Sequence, residues 1–239
     1  VYLFPSFRLA TKKDVHTVFC PQCRHVFQVD SLRDEARCEE CGHAFVPGQG
    51  YSKRGYYTCP ACGQRERVLE AMRRKEGPPE MEMFAIEYYC PTCEREGYDR
   101  RGYKPTDDED LALFAEAKTE FERGKDGLLF PRQRVPQGVK TKDLLNYGYE
   151  YWHQMFNERQ LLCLGMLLDA ILRISDTNVR QLFVMTLSDA VNANNLFCKY
   201  NAPAQKLEPL FGLHAFHVIN QPIENNVWGT KYGRGSFIR

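Results

Sequence analysis

The cysteines are the residues of this chain best suited to chemistry. Of its ten cysteines, eight fall into four Cys-x-x-Cys pairs. Two thiolates three residues apart on a tight turn can grip one metal ion, and two such turns complete the tetrahedron that zinc prefers. The spacing therefore predicts two four-thiolate metal sites. Their ligands are Cys20, Cys23, Cys38 and Cys41 for the first site, and Cys59, Cys62, Cys90 and Cys93 for the second.

Loop lengths favour this pairing in sequence order. Fourteen residues separate the first two pairs, which is close to the loop length of zinc ribbons, and twenty-seven separate the last two. An interleaved arrangement, in which the first and third pairs share one metal ion, stays open. Proline follows the first cysteine of three pairs, and glycine follows the second cysteine of two pairs. Glycine there admits the positive φ that such turns often need.

A closed shell of four thiolates leaves no coordination position for water or substrate, so such sites hold a fold together. Zinc is the expected ion, although iron can occupy the same thiolates. Disulfides would imply a secreted chain, and the N-terminus has no signal-peptide pattern, so the cytoplasm is the expected location. Cys163 and Cys198 lie in apolar helical stretches and are expected to be inert thiols. His25 and His43 are expected to lie beside the filled shells.

Composition and charge narrow the function classes. The formal net charge is +1, and no apolar run approaches the roughly 18 to 20 residues that a membrane-spanning helix needs. No membrane partner is expected. Residues 1–75 hold 13 basic and 8 acidic side chains, 76–130 hold 7 and 15, and 131–239 hold 12 and 8. Any contact with nucleic acid must therefore come from local basic patches.

Residue patterns predict an α+β chain, with zinc ribbons built from short antiparallel strands followed by a mainly helical domain. Strands are predicted at 17–19, 26–29, 55–58 and 84–89, where β-branched and aromatic residues lie between turns. A helix is predicted over 65–75 in the long loop of the second quartet. The predicted domains are a double zinc ribbon at 1–104, a helix and linker at 105–140, and a helical domain with a loop-rich C-terminal segment at 141–239.

Capping residues define the predicted helices after residue 104. Thr106 and Glu109 form a possible capping box for a helix that ends near Gly124, and a linker is predicted over 127–140. Three further helices are predicted to begin near Thr141, Asn157 and Asp176. The last should carry an apolar stripe through Val179, Leu182, Phe183, Thr186, Val191 and Phe197. Asn192, Asn194 and Asn195 near its end either terminate the helix or read adenine edges.

Four stretches of the chain, 156–162, 188–201, 207–211 and 222–229, carry a resemblance to a known family. Behind a four-cysteine ribbon, they resemble the central region of bacterial adenine-specific DNA methylases that contain a zinc ribbon, the phage-defence-associated family with a DUF1156 N-terminal region. The likeness runs from about Leu3 to the end of the chain. It implies methyl transfer from S-adenosylmethionine to the exocyclic amine of a flipped adenine in DNA.

Both catalytic elements of that family are missing here. Its D/N-P-P-Y/F tetrapeptide is closest to Asn220-Gln-Pro-Ile223, which has one proline and no aromatic ring to stack on the base. Its glycine-rich cofactor turn is closest to Gly233-Arg-Gly235, which follows no convincing strand. No catalytic or cofactor-binding residue is therefore expected, and S-adenosylmethionine should bind only in the parent enzyme. The start at Val1 also suggests that the chain is a fragment of that enzyme.

The resemblance thus predicts a non-catalytic DNA-recognition and scaffolding portion of a DNA adenine methyltransferase, with DNA and the remaining methylase domains as partners. One alternative is a protein-interaction module that docks a defence-system helicase or ATPase. Another is a free-standing binder of single-stranded nucleic acid. The residues predicted to contact DNA are Lys12, Lys13, Arg24, Lys53, Arg54, Arg132, Arg134, Lys199, Lys231 and Arg234.

Overall fold

The computed structural model describes residues 1–213, 216–229 and 237. Within them the fold is α+β with short antiparallel strands, as predicted. None of the helices in this part of the chain is both long enough and apolar enough to cross a membrane. The chain divides into two compact units. The first contains Val1–Glu66, Glu80–Leu111 and Ala202–Gln205; the second contains Arg67–Pro79, Ala112–Asn201 and the described part of Lys206–Arg239.

Short strands make up most of the N-terminal part of the chain. Strands β1, β2 and β3 form one antiparallel sheet, β4 pairs with β5, β6, β7 and β8 form a third sheet, and β9 pairs with β10. The predicted strands correspond to β2, β3, β7 and β9. The bounds are β1 Arg8–Lys12, β2 Val15–Phe19, β3 Val26–Val29, β4 Ala36–Arg37, β5 Ala44–Phe45, β6 Ser52–Lys53, β7 Tyr56–Thr58, β8 Arg65–Arg67, β9 Ala85–Tyr89 and β10 Arg101–Pro105.

Aromatic rings form the core of the first unit. Phe19 is 1% exposed, and its ring centroid lies 4.9 Å from that of Phe4, 5.6 Å from that of Phe7 and 4.8 Å from that of Phe84. Edge-to-face contacts of this kind add about 0.5 to 1.5 kcal/mol per pair to the burial of the rings. The same cluster includes the buried cysteines Cys20 and Cys38. Two of the predicted metal ligands are therefore part of the core itself.

Helices and their caps define the second unit. The three helices begin as predicted after Thr141, Asn157 and Asp176; the last two cap through their side chains, whereas the Thr141 side chain makes no capping hydrogen bond. The side chain of Asn157 accepts from the Gln160 amide at 2.9 Å and Gln160 returns the bond, which completes a capping box. The helices are α1 Val68–Arg74, α2 Pro91–Arg95, α3 Asp108–Gly124, α4 Lys142–Asn146, α5 Glu158–Leu172 and α6 Thr177–Ala193, with strands β11 Lys199–Asn201 and β12 Lys206–Glu208 and 3-10 turns at Trp152–Met155 and Leu210–Leu213.

The cap of α3 differs from the prediction. Asp107 and Asp110 bond each other's amides at 3.1 and 2.9 Å, so they form the capping pair one residue beyond the predicted one. The Thr106 hydroxyl instead donates to the Met83 carbonyl. A short aspartate caps about as well as threonine, and this contact with a distant residue could not be seen in the sequence.

Two further segments are more ordered than the sequence suggested. The segment 127–140 lacks helix, but Val135 in it is 6% exposed and packs in a cluster with Leu144 and Tyr149. The predicted linker is therefore part of the core of the second unit. Residues 67–79 also belong to this unit, because the backbone of Gly148 meets that of Gly77 so closely that a Cβ on Gly148 would lie 2.4 Å from the Gly77 oxygen. The units are thus discontinuous, unlike the three predicted domains.

The end of α6 settles the role of its asparagines. Asn194 and Asn195 are 0% and 1% exposed, and their amides donate to the carbonyls of Ala190 and Val191 at 2.6 and 2.9 Å. The Asn192 side-chain oxygen accepts from the Phe211 amide. Asn194 and Asn195 therefore end the helix and are too deeply buried to read adenine, whereas Asn192 joins the helix to a distant segment.

Candidate metal centres

The first cysteine quartet converges. The sulfurs of Cys20, Cys23, Cys38 and Cys41 all lie within 4.8 Å of one another. Cys20 Sγ lies 3.7 Å from Cys41 Sγ, and Cys23 Sγ lies 3.5 Å from Cys38 Sγ. A tetrahedral zinc ion with bonds of about 2.3 Å needs sulfurs about 3.8 Å apart. The four side chains therefore fit a zinc ion, and pairing in sequence order is confirmed for this site over the interleaved alternative.

Three of the four pairs share one turn geometry. In each turn, the amide of the first cysteine donates to the carbonyl five residues on, and the amide four residues on donates to the carbonyl of that cysteine. For Cys20 these bonds run to His25 and from Arg24, both at 2.9 Å. For Cys38 and Cys59 the matching bonds span 2.9 to 3.0 Å. Cys59 and Cys62 thus form a preformed half-site like those of the first centre.

The fourth pair is different. Cys90 is the N-cap of α2, and its sulfur accepts from the Cys93 amide at 3.3 Å. Among the residues that the structure describes, no three sulfurs of the second quartet lie within 4.8 Å of one another. Cys59 with Cys62, and Cys90 with Cys93, are therefore two separate thiol pairs, each able to contribute two ligands to a metal ion.

Thiol ionisation in the first centre is uneven. Desolvation of its sulfur, followed by hydrogen bonds to the neighbouring thiols, raises the pKa of Cys23 to about 12, although the residue as a whole is exposed. At Cys38 burial also acts to raise the pKa, but the amides of Cys41 and Glu40 outweigh it and lower the pKa to about 7. Four thiolates cannot crowd together without a cation, so metal binding at neutral pH displaces thiol protons, and acid favours the metal-free form.

Histidines beside the knuckles support the core. The rings of His25 and His43 stack on Phe27 and Phe45, with centroids 5.9 and 6.1 Å apart. Each histidine lies two residues beyond a ligand cysteine, and its carbonyl accepts the amide of the first cysteine of its pair. Both therefore act as supports for the turn, as expected for residues beside a filled shell.

No family model, curated protein or solved structure matches this chain. Its functional interpretation consequently depends on its own residues.

The two cysteines outside the pairs are free thiols with no role at the metal centres. Burial raises the pKa of both Cys163 and Cys198, as expected for inert core thiols.

Several residues predicted to contact DNA are engaged in ion pairs. Lys12 pairs with Asp99 at 2.5 Å, and Lys199 with Glu208 at 3.5 Å. Arg24 pairs with Glu82 and lies over the Tyr2 ring. Their charges are compensated within the protein, which weakens their case as phosphate contacts. Lys231 and Arg234 lie outside the described residues.

The remaining predicted cations of the first unit are exposed at hairpin tips. Lys13 lies between β1 and β2, Lys53 is the last residue of β6, and Arg54 lies in the turn between β6 and β7. None of these three side chains makes an ion pair with another residue in the described part of the chain. Lys13 and Arg54 have φ values of 55° and 52°. With Gly55 at 78°, Arg54 forms the two-residue turn that favours glycine or asparagine.

The left-handed backbone at Lys13, Arg54 and Arg24 could be predicted from the sequence only at Arg24. A non-glycine residue in the left-handed region costs roughly 1 to 3 kcal/mol and often marks a functional site. Arg24 has a φ of 65° at the position that is Gly42 and Gly63 in the equivalent turns. The departure from glycine at that position was visible in the sequence, and it was the one available signal.

Proposed function

We propose that this chain is a zinc-stabilised DNA-recognition and scaffolding portion of a DNA adenine N6-methyltransferase. The observation that carries the proposal is the set of unpaired cations at two hairpin tips, Lys13, Lys53 and Arg54. The family resemblance supplies the parent reaction, with S-adenosylmethionine bound by the remaining domains. Thiolate ligands need reducing conditions, which supports the cytoplasm as the location.

Hairpin tips suit contact with a phosphate backbone. A tip projects from the sheet, so its side chains can reach the phosphates of a duplex even where the protein has no concave surface. Lys13 and Arg54 occupy strained backbone positions where glycine would cost less. A long cationic side chain at a position where it strains the backbone favours a role in binding a negatively charged partner. Phosphate contacts of this type position a protein on DNA without reading its sequence.

The metal centres have a structural role in this proposal. The first centre is complete, and we propose that a second zinc ion joins the pairs Cys59–Cys62 and Cys90–Cys93. The turn at Cys59 already has the hydrogen bonds of the completed centre. The ions would hold the strands, and hence the hairpin tips, in place without taking part in methyl transfer.

Replacing Lys13, Lys53 and Arg54 by alanine together should weaken binding to a labelled duplex. Loss of three phosphate contacts should make the slope of log affinity against log salt shallower by roughly 2.7, or about 0.9 per contact. Fluorescence anisotropy of the zinc-loaded chain over a range of salt concentrations measures this slope. Calorimetry should show no binding of S-adenosylmethionine by the chain alone.

A matched control removes three cations that are already paired. Lys118, Arg123 and Arg173 pair with Glu158, Glu120 and Asp169, and their replacement by alanine should leave the slope nearly unchanged. Equal slopes for the wild type and the hairpin variant would contradict the proposal, as would a chain that binds duplex without salt dependence.

A second candidate function, protein docking, is favoured by the outer face of α6. Leu182 and Met185 on it are 64% and 69% exposed. Val184 and Met185 also line a cleft of about 370 Å³ together with Leu172. The middle of the predicted apolar stripe, around Leu182, is therefore exposed, whereas Val191 and Phe197 farther along it pack in core clusters. A continuous exposed apolar face on a soluble helix is typical of a protein interface.

Docking predicts that Leu182→Lys with Met185→Lys abolishes co-purification with co-expressed methylase domains or with a defence-system ATPase. Duplex binding should be unaffected, because the hairpin tips are unchanged. Thr119→Lys adds a charge at an exposed polar position of α3, away from this face and its cleft, and serves as the control. Co-purification that survives the double substitution would rule out this face as the interface.

A further inference from the structure

A short antiparallel pairing lies in the second unit, within the predicted linker. Arg134 and Tyr151 are bridge partners. The hydrogen bonds on either side of them, of 3.1 and 2.8 Å, join the flanking residues and not the pair itself. In an antiparallel ladder this is the pair whose Cα atoms and side chains approach most closely. The fold therefore holds an arginine directly beside a tyrosine.

Two arginines and three rings form a continuous series around this pair. The Arg134 guanidinium carbon lies 5.3 Å from the Tyr151 ring centroid, and that of Arg132 lies 4.0 Å from the Phe130 centroid. His153 lies between the rings, stacked on Tyr151 at 5.5 Å and edge-on to Phe130 at 5.8 Å. These five residues are called the arginine–aromatic ladder below.

The two guanidinium groups are exposed and have no counter-charge. No carboxylate in residues 1–213, 216–229 or 237 lies within ion-pair distance of Arg132 or Arg134. Arg132 makes one hydrogen bond, to the Lys125 carbonyl at 2.5 Å. A guanidinium already held over a ring loses little further freedom when a ligand binds, and the exposed side chains of Arg132 and Arg134 are accessible to one.

The charge of the ladder comes from its two arginines, because His153 is uncharged at neutral pH. Burial lowers the pKa of His153, the Pro131 carbonyl opposes this, and the charge of Arg132 lowers the pKa further. Its ring is therefore neutral at pH 7. The ladder consequently offers flat apolar surface with two fixed positive charges, which are the two features that modules for single-stranded nucleic acid combine.

We propose that the arginine–aromatic ladder binds unpaired nucleobases of single-stranded DNA. The outer guanidinium faces stack on the bases, and their N–H edges donate to the adjoining phosphates. Paired bases inside a duplex offer no such faces, so the ladder selects opened DNA. This inference rests on the proposed role in DNA recognition, in which an adenine must leave the duplex before it is methylated.

The test compares three labelled probes with the zinc-loaded full chain: an oligothymidylate, the same strand with abasic sites in place of its bases, and a duplex. The abasic strand keeps the phosphates and should bind about ten-fold more weakly, because stacking contributes roughly 1 to 3 kcal/mol per base. Arg132→Lys with Arg134→Lys keeps both charges but removes the planar groups. This variant should bind the oligothymidylate and the abasic strand equally.

Lys140→Ala with Lys142→Ala, two exposed cations of the same unit outside the ladder, should preserve the base-dependent difference. The inference is overturned if the lysine variant still prefers the strand with bases, or if the wild type does not prefer it. A glutamate-rich peptide serves as a fourth probe. The inference is also overturned if this peptide binds the wild type, loses binding in the lysine variant and does not compete with DNA. If duplex binding depends on Lys13, Lys53 and Arg54 but the lysine variant of the ladder binds every probe like the wild type, this inference alone is wrong. If the ladder prefers strands with bases but the three hairpin cations do not affect duplex binding, the proposed function alone is wrong.

Discussion

Cys38→Ser is expected to remove one zinc ion per chain and to unfold the first unit. A structural zinc site contributes on the order of 10 kcal/mol to folding, which exceeds the entire stability of many domains. Cys38 is 2% exposed within the aromatic core, so its loss removes a ligand and disturbs packing together. Elemental analysis should give the metal content, and amide hydrogen exchange should show which segments lose protection.

Helices α5 and α6 should keep their protection in this variant, because Leu164, Ile171 and Leu187 form a cluster that includes no metal ligand. Cys163→Ala provides the comparison, since Cys163 lies outside the four pairs and should leave the metal content unchanged. Full zinc content in the Cys38 variant, or an unchanged exchange pattern in β1 to β5, would show that the thiolates do not build this unit.

Phe19→Ala is the second large expected effect. Removing a buried phenylalanine ring costs about 3 to 5 kcal/mol, since the cavity refills only in part. Phe19 contacts three other rings and immediately precedes Cys20, so the cavity opens beside the metal centre. Guanidinium titrations in the presence of saturating zinc should show a lower free energy of unfolding for the first unit.

Val15→Ala is the matched control for this substitution. Val15 lies on the same strand, β2, but is 37% exposed, so its truncation should cost well under 1 kcal/mol. Comparable losses for the two variants would mean that the metal centre alone, and not the aromatic cluster, sets the stability of the unit.

Local signals in the sequence were good predictors here. The N-caps Asn157 and Asp176 were correct because a capping side chain bonds amides only two or three residues away. The first metal centre was predictable for a similar reason: both of its pairs form tight turns joined by a short loop. In these cases the residues that decide the structure lie close together in the chain.

Signals that depend on distant partners were misleading. The apolar stripe predicted for α6 did not show which of its residues are buried: Leu182 is exposed, whereas Val191 packs in a core cluster with residues of α5. Proline content suggested that 127–140 is a linker, although Val135 completes a core cluster. The second quartet has the same residue types as the first, but its longer loop contains β8, α1 and β9, so spacing alone did not determine convergence.

The ladder was only half visible from the sequence. Arg132 and Arg134 were among the predicted DNA contacts, and Phe130 lies two residues before Arg132, but the other two rings are distant in the sequence. Tyr151 and His153 follow seventeen residues or more later and reach the arginines only through the bridge between the two segments. Cross-strand neighbours of this kind depend on register, which a single short segment does not specify.

The sulfurs of the first centre are unequal in their access to solvent. Cys20 and Cys38 are buried, whereas Cys23 and Cys41 are exposed. Oxidants and chelators therefore meet one edge of the tetrahedron, while the opposite edge stays anchored among phenylalanines. Metal exchange would begin with release of the ion by Cys23 and Cys41 on that outer side. Cys20 and Cys38 would stay in place and bind the next ion at the same position.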